Sequence, residues 1–325
     1  MATTVDNACS QGVDTDFVAL GYAKVAFLGV VQGLTELLPI SSTAHMRIVP
    51  GLLGWSDPGS AFSAAMQLAA LAAVVSYYWR DVREIVVGSG TAVLRRDFSS
   101  PEFRFAVGIV LATIPIVIAG VLLSPVLNAC NSPLRTLPVI AWACVVLGLL
   151  LAGAELAARH TRPASSARLG DMLMVGVAQV GALIPGVSRS GSTLTGALML
   201  GFRRTDAARL SFLIGLPAIF LAGVREIWIL HKVGLTATGW SVLAVGLVVA
   251  SISAFAAIWL LMRVLERFSA WPFVLYRIAL GIGLLAALYA GVLAPDSGRS
   301  ACLTTAAGLD RLGAGPRSYP RYAQG

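Results

Sequence analysis

The chain alternates between long apolar stretches and short polar connections, and several of these stretches are long enough to cross a bilayer. A membrane-spanning helix needs about 20 apolar residues. The stretches that reach this length are residues 60–79, 104–127, 137–156, 209–230, 240–262 and 273–293. The pattern therefore predicts an all-α integral membrane protein with six transmembrane helices.

Two further apolar stretches, residues 17–52 and 172–201, are interrupted midway by proline and by polar residues. Such interruptions are typical of re-entrant segments, because irregular backbone at membrane depth must be buried in protein or face a wet cavity. We predict a re-entrant helical hairpin in each stretch.

The two interrupted stretches resemble each other. Gly29-Val30-Val31-Gln32 recurs as Gly176-Val177-Ala178-Gln179, and Leu53-Gly54-Trp55 recurs as Leu200-Gly201-Phe202. Their shared order predicts two repeats, residues 17–156 and 157–293, each made of one hairpin and three spans. Because three crossings is an odd number, the halves would form an inverted-topology repeat with its site near the membrane midplane.

Composition agrees with a membrane protein. Charged residues make up 12% of the chain and hydrophobic residues 57%, whereas a soluble domain carries about 25% charged residues. The net charge of +8 does not indicate nucleic-acid binding, since no basic stripe is interleaved with aromatic residues. The four cysteines show neither metal-ligand spacing nor a disulfide framework. Residues 1–16 form a polar segment without the features of a cleavable signal, and residues 294–325 form a tail that we expect to be disordered.

The arginines of the connections are concentrated on one side of the predicted bundle. That side holds Arg80, Arg83, Arg95, Arg96, Arg104, Arg159, Arg162, Arg168, Arg203, Arg204, Arg209, Arg263 and Arg267. The opposite connections, residues 128–136 and 231–239, hold only Arg135 and Lys232. Since Lys and Arg are enriched in cytoplasmic loops, this pattern places the first hairpin and both termini outside.

The first hairpin gathers an acid, hydroxyls and a titratable base. Gln32 and Glu36 are four residues apart and share one helix face, and Pro39 would end that helix. Three hydroxyls and a histidine follow, namely Ser41, Ser42, Thr43 and His45. Taken singly, such a serine is usually a helix cap and such a histidine is usually structural, but a glutamate at membrane depth is a functional candidate by default. The combination favours a catalytic site.

The second hairpin carries a permanent cation among hydroxyls and glycines. Arg189 can grip two phosphate oxygens at once, and the backbone N–H groups near Gly186 and Gly191 would add donors. The surrounding hydroxyls are Ser188, Ser190 and Thr193. Two further amides, Gln67 and Gln179, lie within the predicted membrane segments. The sequence leaves open whether each lines the site or only packs in the interior.

The motifs at residues 32–45 and 185–193 closely resemble the two signatures of the undecaprenyl-pyrophosphate phosphatase family, the bacitracin-resistance proteins of the BacA type. The resemblance covers residues 20–293. It implies hydrolysis of undecaprenyl (C55) diphosphate to undecaprenyl phosphate and inorganic phosphate, which recycles the lipid carrier for peptidoglycan synthesis and confers bacitracin resistance. It also implies a bacterial inner-membrane location with the site open to the periplasmic side, and a divalent cation, Mg²⁺ or Ca²⁺. The partners it implies are the lipid diphosphate and membrane lipids, with no nucleic acid and with a homodimer left open.

The resemblance also assigns roles residue by residue. Ser42 matches the nucleophile, His45 its acid/base partner, Glu36 the catalytic carboxylate and metal ligand, and Arg189 the phosphate clamp. The positions that match substrate-binding residues are Gln32, Ser41, Thr43, Gly186, Ser188, Ser190, Gly191 and Thr193.

Three positions depart from the family pattern. Gln32 replaces the glutamate of some members, which removes one anionic metal ligand, and Ser63 stands where some members have a glutamate. Ala44 replaces the usual glycine, so we expect its backbone to avoid positive φ.

A polyprenyl-phosphate flippase is the competing interpretation. Broken helices in an inverted repeat are also a transporter layout, and a flippase would use Arg189 and the hydroxyls as well. It would not need Glu36, Ser42 and His45 together, so release of inorganic phosphate discriminates between the two functions.

Overall fold

The computed structural model describes residues 15–56, 58–127 and 132–295. Residues 1–14 and most of the tail that we predict to be disordered lie outside this part of the chain. The long elements within these ranges are all helices. In chain order they are α1 Phe17–Leu37, α2 Ser42–Leu52, α3 Ser60–Ala65, α4 Gln67–Tyr77, α5 Trp79–Arg95, α6 Pro101–Leu127, α7 Leu137–Ala157, α8 Leu169–Val180, α9 Arg189–Met199, α10 Arg204–Lys232, α11 Ala237–Arg267 and α12 Trp271–Tyr289.

Six of these helices are long and apolar enough to cross a membrane, namely α1, α6, α7, α10, α11 and α12. This finding confirms the prediction of an all-α, multi-pass membrane protein. Helix α1, which the sequence pattern places in a hairpin, is among the six, but its backbone is broken at Gly21, where φ is 73°.

The stretch 60–79, predicted as one span, has a different form. Helices α3 and α4 occupy it, and the chain then bends by 84° into α5. The bend lies at Tyr78, whose φ and ψ of −100° and 31° leave the α-helical region. Four of the next six residues, Arg80, Asp81, Arg83 and Glu84, are charged, so a straight continuation into hydrocarbon would be costly.

Glycines allow three pairs of helices to approach closely. A Cβ on Gly29 of α1 would lie 2.8 Å from the carbonyl oxygen of Gly246 in α11. A Cβ on Gly176 of α8 would lie 2.2 Å from the oxygen of Ala112 in α6, and one on Gly281 of α12 would lie 2.7 Å from that of Ala141 in α7. Small residues at such crossings let the backbones touch, and they hold α1, α8 and α12 in the positions that build the site.

The tightest of these crossings gives a stability prediction. We expect Gly176→Ala to destabilise the protein by about 1–3 kcal/mol, because the new methyl group would collide with backbone rather than with a movable side chain. Gly153→Ala in α7 is the matched control, since its Cβ would meet nothing within 4 Å, and alanine is the better helix former. Thermal unfolding in detergent measures both variants, and equal transition temperatures would contradict the close contact.

The two interrupted stretches contain matching breaks. Ser41 and Ser188 both have left-handed backbone, with φ of 76° and 70°. Each precedes an 11-residue helix and caps it: the Ser41 hydroxyl accepts from the N–H of Ala44, and the Ser188 hydroxyl accepts from the N–H of Gly191. The backbone of Ala44 itself is helical, so the break needs positive φ at the serine and not at the usual glycine position.

Candidate active site

Glu36 is the centre of a buried polar cluster that joins the two hairpin stretches. One carboxylate oxygen, Oε2, accepts hydrogen bonds from Gln32 Nε2 at 2.9 Å and from Ser42 Oγ at 2.6 Å. The other, Oε1, accepts from a guanidinium nitrogen of Arg189 at 2.7 Å. The glutamate is 7% exposed. Its charge is balanced within the protein interior by the ion pair with Arg189.

Local sequence explains how these groups meet. Gln32 and Glu36 occupy successive turns at the end of α1, and their side chains therefore point the same way. The extended backbone of Leu38 ends the helix, and Ser41 turns the chain so that α2 begins at Ser42. The Ser42 hydroxyl is thereby returned to the carboxylate six residues earlier.

A cavity of about 250 Å³ lies over this cluster. Its lining combines an acid, hydroxyls, amides and two arginines, and includes Gln32, Glu36, Ser42, Thr43, Ser63, Gln67, Arg47 and Arg135. Of the two amides left open by the sequence, Gln67 lies on this wall. Gln179 is fully buried, and neither atom of its amide has a hydrogen-bond partner among the described residues.

The arginines of the cavity wall were not singled out as site residues from the sequence. Arg47 donates to the carbonyl oxygen of Arg135 at 2.9 Å, which ties α2 to the connection before α7. In the sequence, Arg135 entered only the count of loop charges. The two cations give the cavity a positive rim, which favours an anionic ligand.

Most polar groups of the second hairpin bond within the protein. Ser190 Oγ donates to the carbonyl oxygens of Glu36 and Leu38, at 3.1 and 3.2 Å, and thus joins the two breaks. The N–H of Gly191 donates to Ser188 Oγ. Thr193 Oγ1 is buried between the carbonyl oxygen of Arg189 and Ser211 Oγ. Their assignment to substrate binding stays a prediction, because none of them lines the cavity.

Gly186 occupies a position that only glycine fits. Its φ is 98°, and a Cβ there would lie 2.6 Å from the carbonyl oxygen of Ile140. L-residues with side chains rarely adopt that backbone conformation. The residue lets the second break pack against α7.

Arg277 is a site residue that the motif analysis missed. It is fully buried in α12 and donates to the carbonyl oxygen of Pro39 at 3.3 Å, and to those of Gly186 and Val187 at 2.8 and 3.0 Å. One guanidinium therefore satisfies backbone carbonyls of both hairpin breaks. The available signal was its place inside the predicted span 273–293, where an arginine marks function by default.

His45 is held away from the Ser42 hydroxyl. Its Nδ1 lies 2.7 Å from the carbonyl oxygen of Ser41, and its Nε2 lies 2.6 Å from the hydroxyl oxygen of Tyr276. Because a carbonyl can only accept, Nδ1 carries the proton, and Nε2 accepts from Tyr276. The Ser42 hydroxyl instead donates to Glu36, so the carboxylate is the group placed to take its proton.

The donor set beside Glu36 suits a hard divalent cation. The amide oxygen of Gln32 is buried and has no hydrogen-bond partner among the described residues, and it belongs to the same cavity wall as the carboxylate. Carboxylate and amide oxygens are preferred ligands of Mg²⁺ and Ca²⁺. Residues 15–56, 58–127 and 132–295 contain no group of three or more His, Cys, Asp or Glu side chains that could hold a metal. A cation here would therefore also need ligands from a bound phosphate.

Comparison with known proteins agrees with this chemistry. Residues 25–283 match the family described as bacitracin resistance protein BacA. "Undecaprenyl-diphosphatase 2" of Mesorhizobium japonicum is 72% identical over 264 residues, which cover 81% of this chain and 100% of that protein. "Undecaprenyl-diphosphatase" of Gloeobacter violaceus is 48% identical over 277 residues, covering 85% of this chain and 95% of that protein. "Undecaprenyl-diphosphatase" of Synechococcus elongatus is 48% identical over 267 residues, covering 82% and 93%.

Proposed function

Because the chain belongs to the family of the bacitracin resistance protein BacA, we propose that it hydrolyses undecaprenyl diphosphate to undecaprenyl phosphate and inorganic phosphate. The observation that carries this proposal is the short contact between Ser42 Oγ and Glu36 Oε2 on the wall of a cavity with a basic rim. A hydroxyl bonded to a carboxylate is an activated nucleophile, and the rim suits a diphosphate.

The reaction begins when Ser42 Oγ attacks the terminal phosphorus and gives its proton to Glu36. An oxygen–phosphorus bond forms at Ser42, and the bridging P–O bond breaks with its electron pair going to undecaprenyl phosphate. Glu36 passes this proton to the departing undecaprenyl phosphate and is again a carboxylate. Water then attacks the phosphoserine and gives one proton to Glu36, the Ser42 Oγ–P bond breaks as inorganic phosphate forms, and Glu36 returns the proton to the serine oxygen. In direct water attack, which we keep as the alternative, Ser42 serves only as a hydrogen-bond donor.

Arg189 provides charge stabilisation in both versions. Phosphoryl transfer spreads negative charge over the equatorial oxygens, so positioned cations contribute most of the rate enhancement. The ion pair holds the guanidinium on one oxygen of the Glu36 carboxylate, and Ser42 donates to the other. A bound phosphate offers it competing acceptor oxygens in the geometry that a guanidinium fork matches.

Glu36 and the amide oxygen of Gln32 would hold the divalent cation, Mg²⁺ or Ca²⁺, together with oxygens of the diphosphate. Bound there, the cation would neutralise charge on the phosphate. The unpartnered amide oxygen supports this assignment, and the replacement of a carboxylate by Gln32 makes the protein contribution to the cation site singly charged.

An inverted repeat of two re-entrant hairpins is the architecture that we infer for the site. It is supported by the matching left-handed caps at Ser41 and Ser188 and by the equal lengths of α2 and α9. Each unit, residues 17–156 and 157–293, then contains one hairpin and three further spans.

We assign the protein to the bacterial inner membrane, with the cavity open to the periplasmic side. Arg47 and Arg135 line the cavity, and Arg135 belongs to the connection on the arginine-poor side of the bundle. That side is the external one under the positive-inside rule.

The test is release of inorganic phosphate from purified protein and undecaprenyl diphosphate in detergent. We expect wild-type protein to release phosphate, chelation by EDTA to abolish the release, and added Mg²⁺ or Ca²⁺ to restore it. Movement of the lipid across vesicles without any phosphate release would identify a flippase and contradict the proposal. Phosphate release that is unchanged by EDTA would contradict only the proposed requirement for a divalent cation.

Tyr276 gives a prediction about the histidine. We expect Tyr276→Phe to lower the turnover by about fivefold, the equivalent of one net hydrogen bond of about 1 kcal/mol, because the bond that ties His45, and with it the helix α2 that begins at Ser42, to α12 is lost. Ring stacking survives in this variant, since the two rings lie 5.7 Å apart and nearly parallel. The assay should compare the pH profiles of both proteins. Identical rates and profiles would show that the orientation of His45 by Tyr276 is not used in the reaction.

A further inference from the structure

Helix α5 turns sharply away from the helix that precedes it. It follows α4 after the bend of 84° at Tyr78 and runs for 17 residues, from Trp79 to Arg95. A helix at nearly a right angle to an apolar span does not continue that span through the bilayer. Its position and its surface are outside the catalytic site.

One face of α5 is apolar and uncovered. Trp79, Val86 and Val93 follow each other at intervals of seven residues, and Val87 and Leu94 lie beside them, so all five share one side of the helix. Their exposed fractions run from 53% for Val93 to 86% for Leu94. We call these five residues the α5 stripe.

A different face fixes α5 to the protein. Ala92 is buried, Ser89 Oγ donates to the carbonyl oxygen of Glu102 at 3.2 Å, and Asp81 forms an ion pair with Arg209 of α10. Because the helix is held on this side, the α5 stripe is presented at a set angle.

The remaining face is polar. Arg80, Glu84, Thr91 and Arg95 follow helical spacing on the side between the stripe and the packed face. Arg83 falls within the stripe itself, and a long arginine can carry its charge from an apolar surface up to headgroup level. The helix thus has an apolar side with an aromatic residue at its start, with Arg80 at the edge of that side and Arg83 within it.

We propose that α5 lies in the membrane–water interface, with the α5 stripe among the acyl chains and its arginines at the phospholipid phosphates. A lying helix with an apolar face, a polar face and basic residues at the boundary is the form that binds a lipid interface. The bend at Tyr78 makes that orientation compatible with α4 as part of a span. Arg80 at the edge of the stripe and Arg83 within it favour phosphates of lipid over a second apolar stripe, as would be met in a dimer, because a dimer contact would bury the Arg83 charge.

Fluorescent labels on single cysteines, which are quenched differently in lipid and in water, test the position of α5. In full-length protein with Cys9, Cys130 and Cys302 replaced by serine and the buried Cys144 kept, single cysteines are introduced as Val86→Cys or Leu94→Cys on the stripe. Glu84→Cys and Thr91→Cys on the polar face are the matched controls. Each labelled protein is placed in nanodiscs of phosphatidylethanolamine and phosphatidylglycerol.

We expect nitroxide-bearing lipid to quench the two stripe labels at least about twofold more than the two control labels, and aqueous iodide to show the reverse order. Equal iodide quenching at all four positions would overturn the proposal, since the helix would then stand in water. Stripe labels shielded from both quenchers, with energy transfer that rises with protein per disc, would overturn it in favour of a dimer contact.

The arginines are tested in the same discs. In the double variant Arg80→Gln, Arg83→Gln, we expect iodide quenching of the label at position 86 to rise by about twofold, because two phosphate contacts are lost. The double lysine variant should recover most of the protection. An unchanged quenching ratio in the glutamine variant would remove the arginines from the proposal. Phosphate release is not the readout, so failure here leaves the proposed function untouched.

Discussion

Replacement of Arg189 by lysine is expected to lower the rate of phosphate release by at least about a hundredfold. The guanidinium uses two nitrogens, one to Glu36 at 2.7 Å and one to the carbonyl oxygen of Gly215 at 3.4 Å. An ammonium is a point charge and cannot hold the carboxylate while it also presents a fork to phosphate oxygens. The charge is conserved in this variant, so the loss measures geometry and not net electrostatics.

A second arginine provides the matched control. Arg162, in the connection between α7 and α8, forms a two-point pair with Asp171 of α8, with N–O distances of 2.5 and 3.2 Å, and also donates to the carbonyl oxygens of Leu200 and Ser166. We expect Arg162→Lys to release phosphate within about fivefold of the wild-type rate, because these contacts lie outside the cavity wall and a partly exposed ion pair contributes about 1 kcal/mol or less. Release by Arg189→Lys at nearly the wild-type rate would contradict the clamp. Equal losses in both variants would mean that the substitution damages the fold.

The composition of the site could be predicted because polar residues are rare at membrane depth. Glu36, Ser42 and Arg189 stand out against apolar neighbours, and the family motifs order them. Their contact depends on Glu36 and Ser42 being returned to each other by the break at Ser41, which the proline in the motif indicates. The helical spacing of Gln32 and Glu36 was enough to place both side chains on one face.

Contacts between segments that lie far apart in the chain could not be predicted from the sequence. Arg277 binds carbonyl oxygens more than 80 residues away in the chain, at Pro39 and Gly186, and carbonyls leave no mark in a sequence. Tyr276 reaches His45 in the same way. The resemblance assigns His45 as the acid/base partner of Ser42, and this role stays a prediction. The histidine nitrogens contact Ser41 and Tyr276, whereas the Ser42 hydroxyl donates to Glu36.

The internal hydrogen bonds of the hydroxyls in the second interrupted stretch could not be predicted from the motif either. Thr193 and Ser190 read as phosphate donors when only the motif is considered. In a helix, such hydroxyls readily bond the backbone one turn earlier or a neighbouring helix, and both do so. The direction of α5 was not predicted either, because the charged residues after Tyr78 end the predicted span without indicating which way the chain then turns.

Replacement of Ser42 by alanine is expected to have the largest effect of all, a loss of about a thousandfold or more in phosphate release. The hydroxyl donates to Glu36 at 2.6 Å and faces the cavity, so its removal deletes the nucleophile and leaves the carboxylate with no proton to accept. Ser251→Ala is the control, because that hydroxyl only bonds the carbonyl oxygen of Leu247 within α11. We expect the control to keep the wild-type rate.

Trapping of the phosphoserine intermediate distinguishes the covalent mechanism from direct attack by water. Substrate labelled with ³²P in its terminal phosphate, mixed with wild-type protein and quenched rapidly in acid, should leave label on Ser42 that unlabelled substrate chases away, and Ser42→Ala should acquire none. In direct water attack, the alanine variant would lose only a hydrogen-bond donor, so its rate would fall by about tenfold and wild-type protein would trap no label. The two mechanisms therefore differ both in the size of the loss and in the presence of a phosphoserine. The covalent version requires both results together, because Ser42 is the hydroxyl that donates to Glu36, and a serine that attacks phosphorus must both carry the label and be needed for the rate.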